Sequence, residues 1–283
     1  MKKAVAPKVN SQTELQLFES CEKGKTRQVQ SLLSSGVSVN VRDCRGNWLG
    51  ATPLMYAVKA RQEECAIILL AAGADTNLAD KPIPLGGGGR SALYFAAQNG
   101  DVKLVSLLLK AGADVNAVSR DEGPTALGCV VSKGDVKLTM LLLEAGADPN
   151  LTHKTNGMSA LHVACIDRQK KIVPLLLDAG ANVNAQDRTG TTPLMFALCK
   201  RQPEIVAELL RRGADVKLKE KDGMTALIWA VLSGREDMVK EMIKCGSDVN
   251  AANNDGKTAL DFAIRDRKRS LLPILIKAGG KSQ

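Results

Sequence analysis

The sequence predicts an all-α solenoid, a stack of helix–turn–helix units joined by short projecting turns. A segment of about thirty-three residues recurs along almost the whole 283-residue chain. In seven copies a leucine near the start of the first helix lies nineteen residues before a glycine, and Leu17 and Gly36 keep the same interval. The second half of each copy repeats its apolar residues at the period of an α-helix. A fixed period of this length indicates a repeat architecture.

The copy at 187–219 shows the elements of one unit in order. A turn opens it, and Thr192 is an expected N-cap of the first helix. Pro193 suits the first helical position, where its missing N–H is not needed. Pro203 marks the start of the second helix, and Gly213 is the expected glycine that lets the chain leave it. One unit is therefore turn, helix, turn and helix.

Two short patterns within the copies resemble those of a known family. Residues 159–164 read S-A-L-H-V-A, and residues 112–116 read G-A-D-V-N. In both, the chain resembles the ankyrin-repeat family, whose thirty-three-residue repeat carries T-P-L-H-x-A. The resemblance implies a concave groove lined by β-turn fingers and by the first, inner helices. His162 matches the family histidine that hydrogen-bonds the adjoining finger.

The resemblance covers residues 11–283 and implies a single domain of eight repeats after a disordered tail at 1–10. The first helices are expected to start near 13, 52, 91, 125, 159, 192, 225 and 258. Trp229 lies in the register of an apolar inner-helix position, so we expect it in the core.

Composition favours an intracellular, reduced protein. Seven cysteines are scattered with no C-x-x-C pair, which is typical of a protein without disulfides. There is no apolar run of eighteen residues and no signal peptide at the N-terminus. We expect a cytoplasmic location, with a nuclear one as the alternative.

The net charge of +9 lies mainly at the two ends of the chain. Residues 1–50 carry eight basic and four acidic side chains, and residues 251–283 carry seven and three. Because only 3% of the residues are aromatic, few side chains can stack on bases, so nucleic-acid binding is not favoured.

No catalytic, metal or cofactor pattern emerges from the sequence. The repeated acidic residues recur at the repeat period instead of converging as a pair. His162 and Cys165 have the spacing of a metal pair, but no second pair completes four ligands. The tetraglycine 86–89 is followed by Arg90, where a phosphate-binding loop has lysine. We therefore expect no enzyme activity and no cofactor.

Two neighbouring fingers are longer than the finger of the 187–219 copy, 42–52 by four residues and 80–91 by six. Insertions in repeat proteins map to loops on one face, often the binding face. A neutral insertion is the alternative, because long surface loops cost little. Trp48, in the first long finger, either anchors a partner or packs on its own repeat.

Four helix-to-helix turns carry arginine where the other four carry glycine: Arg61, Arg168, Arg201 and Arg267. If these positions have left-handed backbone, each arginine costs about 1 kcal/mol relative to glycine. The arginines form either a basic binding row or ordinary solvated surface charge.

We expect a non-catalytic module that binds a protein or peptide through its concave face and long fingers. The expected contact residues lie in the fingers and at the ends of the inner helices: Arg45, Asn47, Trp48, Leu49, Lys59, Ile83, Leu85, Arg90, Gln98, Asn99, Arg120, Glu122, Lys133, Lys154 and Arg188. One alternative is a self-associating scaffold that uses an apolar C-terminal end around Leu272 and Ile276. The other is a binder of nucleic acid or anionic lipid through the basic ends. We expect a monomer, with a dimer through the C-terminal end as the alternative.

Overall fold

The computed structural model describes residues 10–45, 48–81, 88–118 and 125–282. Within these ranges the chain forms sixteen α-helices and one 3-10 helix, and it contains no β-strand. The α-helices are α1 Gln12–Glu22, α2 Thr26–Ser34, α3 Pro53–Lys59, α4 Glu63–Ala71, α5 Ala92–Asn99, α6 Val102–Lys110, α7 Ala126–Ser132, α8 Val136–Glu144, α9 Ala160–Ile166, α10 Ile172–Asp178, α11 Pro193–Cys199, α12 Pro203–Arg211, α13 Ala226–Ser233, α14 Glu236–Lys244, α15 Ala259–Arg265 and α16 Leu272–Lys277. The 3-10 helix, Arg269–Leu271, directly precedes α16. The predicted all-α helix–turn–helix fold is confirmed.

The contacts divide the chain into two compact units. Unit 1 comprises residues 1–130 and 137–147, and unit 2 comprises residues 131–136 and 148–283. In unit 1 the inner helices α1, α3 and α5 pack side by side, and α2, α4 and α6 pack behind them. In unit 2 the inner row is α9, α11, α13 and α15, with α10, α12, α14 and α16 as the outer helices.

The helix-opening residues behave as their types dictate. Thr52 accepts a hydrogen bond from the Met55 N–H at 3.3 Å, and Thr192 does the same for Met195. Each hydroxyl thereby satisfies one of the N–H groups that a helix start leaves without a partner. The leucine two residues after the cap is buried in both cases, as Leu54 and Leu194.

Asparagine side chains tie successive repeats together within each unit. In unit 1 the Asn77 amide donates to the Gly112 carbonyl oxygen at 3.2 Å. In unit 2 the Asn150 amide donates to the Gly180 carbonyl oxygen at 3.0 Å. These carbonyls follow a helix end, where backbone acceptors lack a helical partner, so the asparagines satisfy them.

His162 joins one inner helix to the next finger, as the family resemblance implies. Its Nε2 donates to the Thr191 carbonyl oxygen at 3.1 Å, and its Nδ1 accepts from the Ser159 N–H at 3.1 Å. Burial lowers the pKa of His162, so the ring is neutral in this tautomer near pH 7.

All four arginines at the helix-to-helix turns adopt the left-handed conformation, with φ between 54° and 59°. The condition stated from the sequence, a left-handed backbone at these four positions, is therefore met. Arg61 also donates to the Asn99 carbonyl oxygen at the end of α5, at 2.5 Å. A cation in that position is favourable, because a helix C-terminus carries partial negative charge.

Among the described residues, no helix has both the length and the apolar character needed to cross a membrane.

Candidate functional site

The first long finger of unit 1 is fixed at its base by the buried carboxylate of Asp43. Arg45 donates to it from Nε at 3.1 Å and from Nη2 at 2.8 Å, and the Tyr56 hydroxyl donates at 2.6 Å. Burial alone would raise the pKa of Asp43, but the hydrogen bonds from Arg45 and Tyr56 outweigh it and hold the pKa below its ordinary value. The finger therefore leads into α3 from a base in which charge-assisted hydrogen bonds hold the Asp43 carboxylate.

Trp48 folds back onto the inner helices. Its indole Nε1 donates to Asp80 at 2.9 Å. Its ring centroid lies 4.6 Å from that of Tyr56 and 5.1 Å from that of Phe95, the latter edge to face. Of the two sequence interpretations, the structure shows packing on the chain's own repeats. Such aromatic pairs contribute about 0.5–1.5 kcal/mol beyond their buried area.

Lys59, at the end of α3, covers the outer side of this aromatic group. Its Nζ lies 4.2 Å from the Trp48 ring centroid, the distance of a cation–π contact. Beside it lies an open depression of about 470 Å³ between α1, α3 and the finger. Glu22 and Lys23 of the first repeat line its far side. The surface thus combines aromatic faces with charges of both signs.

The second long finger is closed at its base by Asp80. The Arg90 N–H donates to this buried carboxylate at 2.6 Å and the Arg90 guanidinium donates to it at 2.8 Å. The same guanidinium lies 5.0 Å from the Phe95 ring centroid. The Asn99 amide donates to the Val58 and Lys59 carbonyl oxygens, so it caps α3 at its C-terminal end.

Unit 2 carries a second, more apolar depression of about 450 Å³ between its fingers and inner helices. Its apolar lining comes from one finger and from helices α11 and α13: Met158, Met195, Phe196, Cys199 and Trp229. Arg188, at a finger tip, contributes a cation to the lining. Cys199 is an exposed free thiol.

Trp229 is half-buried and lines this depression, so the expectation of a core position is only partly met. Its Nε1 is buried and has no hydrogen-bond partner of good geometry. The N–H nevertheless lies close enough to the Glu220 carboxyl to lower the pKa of that group. Burial raises the pKa of Glu220, the carboxylates of Asp222 and Asp187 add to that, and hydrogen bonds from Thr191 and Trp229 oppose it. Thr191 Oγ1 donates to Glu220 at 2.8 Å.

The structure brings several predicted contact residues together. In unit 1, Arg45, Trp48, Lys59, Arg90 and Asn99 form one connected group around the two long fingers.

Other predicted residues lie elsewhere on the surface or outside the described ranges. Leu49 is half-buried and its carbonyl oxygen accepts the Lys81 N–H at 2.8 Å. Gln98, Lys133 and Lys154 are exposed. Five further predicted contact residues lie outside the described residues: Asn47, Ile83, Leu85, Arg120 and Glu122. Positions 1–9 of the predicted tail also lie outside them.

Sequence reasoning placed the register of Trp229 in the core and did not recognise it as the aromatic register of both sites. The four aromatic residues of the two sites stand two residues after a helix-opening leucine: Tyr56, Phe95, Phe196 and Trp229. Following this register through every copy could have found the aromatic pair of each unit. A side chain there lies on the inner helix beside the fingers, as the contacts of Trp48 show.

In the part of the chain that the structure describes, no group of three or more His, Cys, Asp or Glu side chains could hold a metal ion.

Comparison with known proteins identifies the repeat. A family model described as ankyrin repeats (3 copies) matches residues 6–80, 78–153, 127–220 and 201–282. Inversin of Gallus gallus is 48% identical over 60 residues, 21% of this chain and 5% of that protein. The B-cell lymphoma 3 protein homolog of Mus musculus is 37% identical over 98 residues, 35% of this chain and 21% of that protein.

Ankyrin repeat and SOCS box protein 3 of Homo sapiens is 35% identical over 104 residues, 36% of this chain and 18% of that protein. The chain therefore spans no more than 21% of the length of any of these three relatives. The family model, by contrast, matches every residue from 6 to 282 in four overlapping segments. The chain belongs to the ankyrin-repeat family.

Proposed function

We propose that the chain is a non-catalytic module that binds a protein partner, and that the surface around the first long finger is a contact surface. Ankyrin repeats generally mediate protein–protein interaction. The finer proposal concerns where this chain does so, and it rests on the geometry of unit 1.

The observation that carries the proposal is the way the first long finger is held. Trp48 is fixed by the hydrogen bond to Asp80, by the rings of Tyr56 and Phe95, and by the cation of Lys59. A surface fixed in this way loses little conformational entropy when a partner binds. An aromatic group rimmed by charged residues also has the composition of an interface centre.

The depression beside Lys59 offers charges of both signs at its edge. Glu22 and Lys23 lie across from Lys59, and the side chains of Lys23 and Lys59 are exposed. A partner segment with an apolar side chain and both an acidic and a basic residue would match this surface. Rim charges of this kind set association rate and specificity more than affinity.

Affinity capture with a charge-reversed variant tests the proposal. We expect Lys59→Glu with Glu22→Lys to lose a specific partner that wild type captures, because both substitutions invert the rim charges and both residues are exposed. The matched control is Lys110→Glu with Glu144→Lys, a reversal at exposed sites at the ends of helices α6 and α8 of the same unit.

Retention of the partner by the control and its loss from the site variant, with unchanged circular dichroism, would support this surface. If mass spectrometry finds the same partners with all three proteins, the first long finger is not the contact surface.

A second candidate function, self-association, is favoured by the C-terminal end of unit 2. Ile264 is 52% exposed and Ile276 is 60% exposed. The last described residues do not cover Ile276, because Ser282 and Lys281 turn to Asp261 and Thr258 of the inner helix. Ile264→Gln with Ile276→Gln should abolish any concentration-dependent mass in sedimentation equilibrium. A wild-type mass that stays monomeric at every concentration would reject this candidate.

A further inference from the structure

The place that Trp48 occupies in unit 1 corresponds, within the repeat, to the apolar depression of unit 2. In unit 1, Trp48 packs on Tyr56 and Phe95, which both stand two residues after a helix-opening leucine. In unit 2 the same register holds Phe196 and Trp229, and these two side chains line the apolar depression. The inner helices of both units therefore present an aromatic pair beside their fingers.

In unit 1 this place is filled by the chain itself, and in unit 2 it is open. The finger of 187–192 is four residues shorter between its glycine and its cap than the finger that carries Trp48, so it has no equivalent of Trp48. The position of Lys59, five residues after the leucine, is occupied by the smaller Cys199. The space left in unit 2 measures about 450 Å³.

The residues around the open place suit an apolar side chain better than an indole. Trp48 needs Asp80 as the acceptor of its N–H. The acid at the equivalent finger position in unit 2 is Glu220, which is not among the residues that line the depression. Met158 and Met195 line the depression, and methionine adapts its shape to different apolar partners. A leucine, methionine or phenylalanine side chain fits this description.

The finger tips above the depression are basic. Lys154, Arg188 and Lys221 occupy the same position of three successive fingers. Backbone hydrogen bonds of 2.8 Å join the tips, from Arg188 N–H to Asn156 and from Lys221 N–H to Thr189. None of the three cations forms an ion pair with a carboxylate in the described ranges.

The acidic residues nearest in sequence to these cations leave the row positive. Asp187 is buried and its carboxylate accepts from the N–H groups of Thr189 and Thr191. Glu220 is half-buried, and Asp222 alone is exposed, next to Lys221. Charge complementarity therefore favours a ligand that places acidic residues along these three cations.

We propose that the depression of unit 2 binds an extended protein segment through one apolar side chain, with acidic residues of that segment on the basic finger tips. The apolar side chain takes the place that Trp48 takes in unit 1. This inference rests on the proposed protein-binding function and adds to it a second surface with a stated ligand chemistry.

A display library of random twelve-residue peptides, selected on the immobilised full chain, tests the ligand chemistry. We expect enriched peptides to place Asp or Glu next to a Leu, Met or Phe. Cys199→Trp fills the depression from an exposed position, and we expect it to weaken binding of an enriched fluorescein-labelled peptide by roughly ten-fold or more. Arg188→Glu should weaken it by a similar factor, and the control Lys217→Glu, also exposed, by less than about two-fold.

Alkylation of the exposed cysteines by iodoacetamide locates the bound peptide. We expect a saturating enriched peptide to slow the modification of Cys199 and to leave that of Cys245, at the C-terminal cap of the outer helix α14, unchanged. The inference is overturned if no peptide is enriched, if enriched peptides lack the acidic and apolar pattern, or if Cys199 reacts at its original rate.

The same readout separates this inference from the proposed function. Cys44 is exposed next to Arg45 in the first long finger. A captured partner that protects Cys44 and not Cys199 would retain the proposed contact surface and reject the second one. Protection of neither thiol would reject both.

Discussion

Unit 1 and unit 2 place aromatic side chains at the same register of their inner helices, but only unit 1 covers them. In unit 1 a longer finger turns Trp48 back over Tyr56 and Phe95, and Lys59 closes the outer side. In unit 2 the shorter finger leaves Phe196 and Trp229 lining an open depression. The two fingers differ by four residues in length. With the longer finger the chain covers its own aromatic pair, and with the shorter finger the pair is open to a partner.

The two units also hold their fingers with different chemistry. The carboxylates of Asp43 and Asp80 are each paired with an arginine of their own finger. Asp187 in unit 2 instead accepts from uncharged backbone and hydroxyl groups. Charge-assisted hydrogen bonds are roughly twice as strong as neutral ones. The two longer fingers are therefore held by stronger hydrogen bonds where they join the helices.

The largest effect that we predict comes from removing one of these carboxylates. Asp80→Ala should lower the free energy of unfolding by about 3 kcal/mol, because it leaves the partly buried Arg90 guanidinium and the Trp48 N–H without their acceptor. Asp187→Ala should cost about 1–2 kcal/mol, since only neutral donors lose their acceptor. Urea unfolding followed by circular dichroism measures both. Equal losses of unfolding free energy in the two variants would contradict the proposed difference between charge-assisted and neutral hydrogen bonds.

The second prediction compares the two tryptophans. Both substitutions to phenylalanine remove one ring, but only Trp48 loses a hydrogen bond of good geometry, at 2.9 Å to Asp80. Trp48→Phe should therefore cost about 1 kcal/mol more than Trp229→Phe. Hydrogen exchange should place the loss at α3 and α5 in the first variant. A larger loss for Trp229→Phe would show that Trp229 is the better-packed residue.

The third prediction concerns the left-handed arginines. Arg201→Gly should stabilise unit 2 by about 0.5–1 kcal/mol, because glycine relieves the left-handed strain at the cost of some unfolded-chain entropy. Arg61→Gly should gain less, since it loses the hydrogen bond to the Asn99 carbonyl oxygen. Calorimetric melting temperatures measure both. A greater gain for Arg61→Gly would contradict a stabilising role for that contact.

The smallest effect distinguishes two carboxylates with opposite pKa shifts. Because the pKa of Glu220 is raised in the folded state, its contribution to stability is present at low pH and is lost as pH rises through the folded pKa. Glu220→Gln should therefore raise the melting temperature slightly at pH 7, with a gain that vanishes when the pH falls below the ordinary glutamate pKa.

Asp43 behaves in the opposite way. Its lowered pKa means that its contribution is present above the unfolded value near 3.8 and is lost as pH falls through the folded pKa. Asp43→Asn should accordingly lower the melting temperature at pH 7. Melting curves from pH 3 to pH 8 show both trends, and a pH-independent offset for either variant would contradict its pKa shift.

The repeat, the helix caps and the left-handed arginines could be predicted from sequence because each depends on local rules. A threonine before Pro-Leu caps a helix wherever the repeat places it, as Thr52 and Thr192 show. The glycine column indicated that Arg61 and Arg201 could be left-handed, since a residue replacing glycine in a fixed turn adopts its backbone angles.

The destination of Trp48 could not be predicted in the same way. Its hydrogen bond reaches Asp80, thirty-two residues away in another finger, and its ring contact reaches Phe95 in the next repeat. Both depend on the path of a four-residue insertion that the copy at 187–219 lacks. Trp229 was assigned to the core by its register, but the short fingers of unit 2 do not cover that register.

The chain has two tryptophans, one at each place, so single-tryptophan variants test the comparison most directly. Acrylamide quenching would be measured in Trp48→Phe, which keeps Trp229, and in Trp229→Phe, which keeps Trp48, with and without a peptide that has acidic residues beside a leucine. We expect the peptide to shield Trp229 and to shift its emission to the blue, while the quenching of Trp48, which its own unit already covers, is unchanged. Shielding of Trp48 with no change at Trp229 would contradict this expectation.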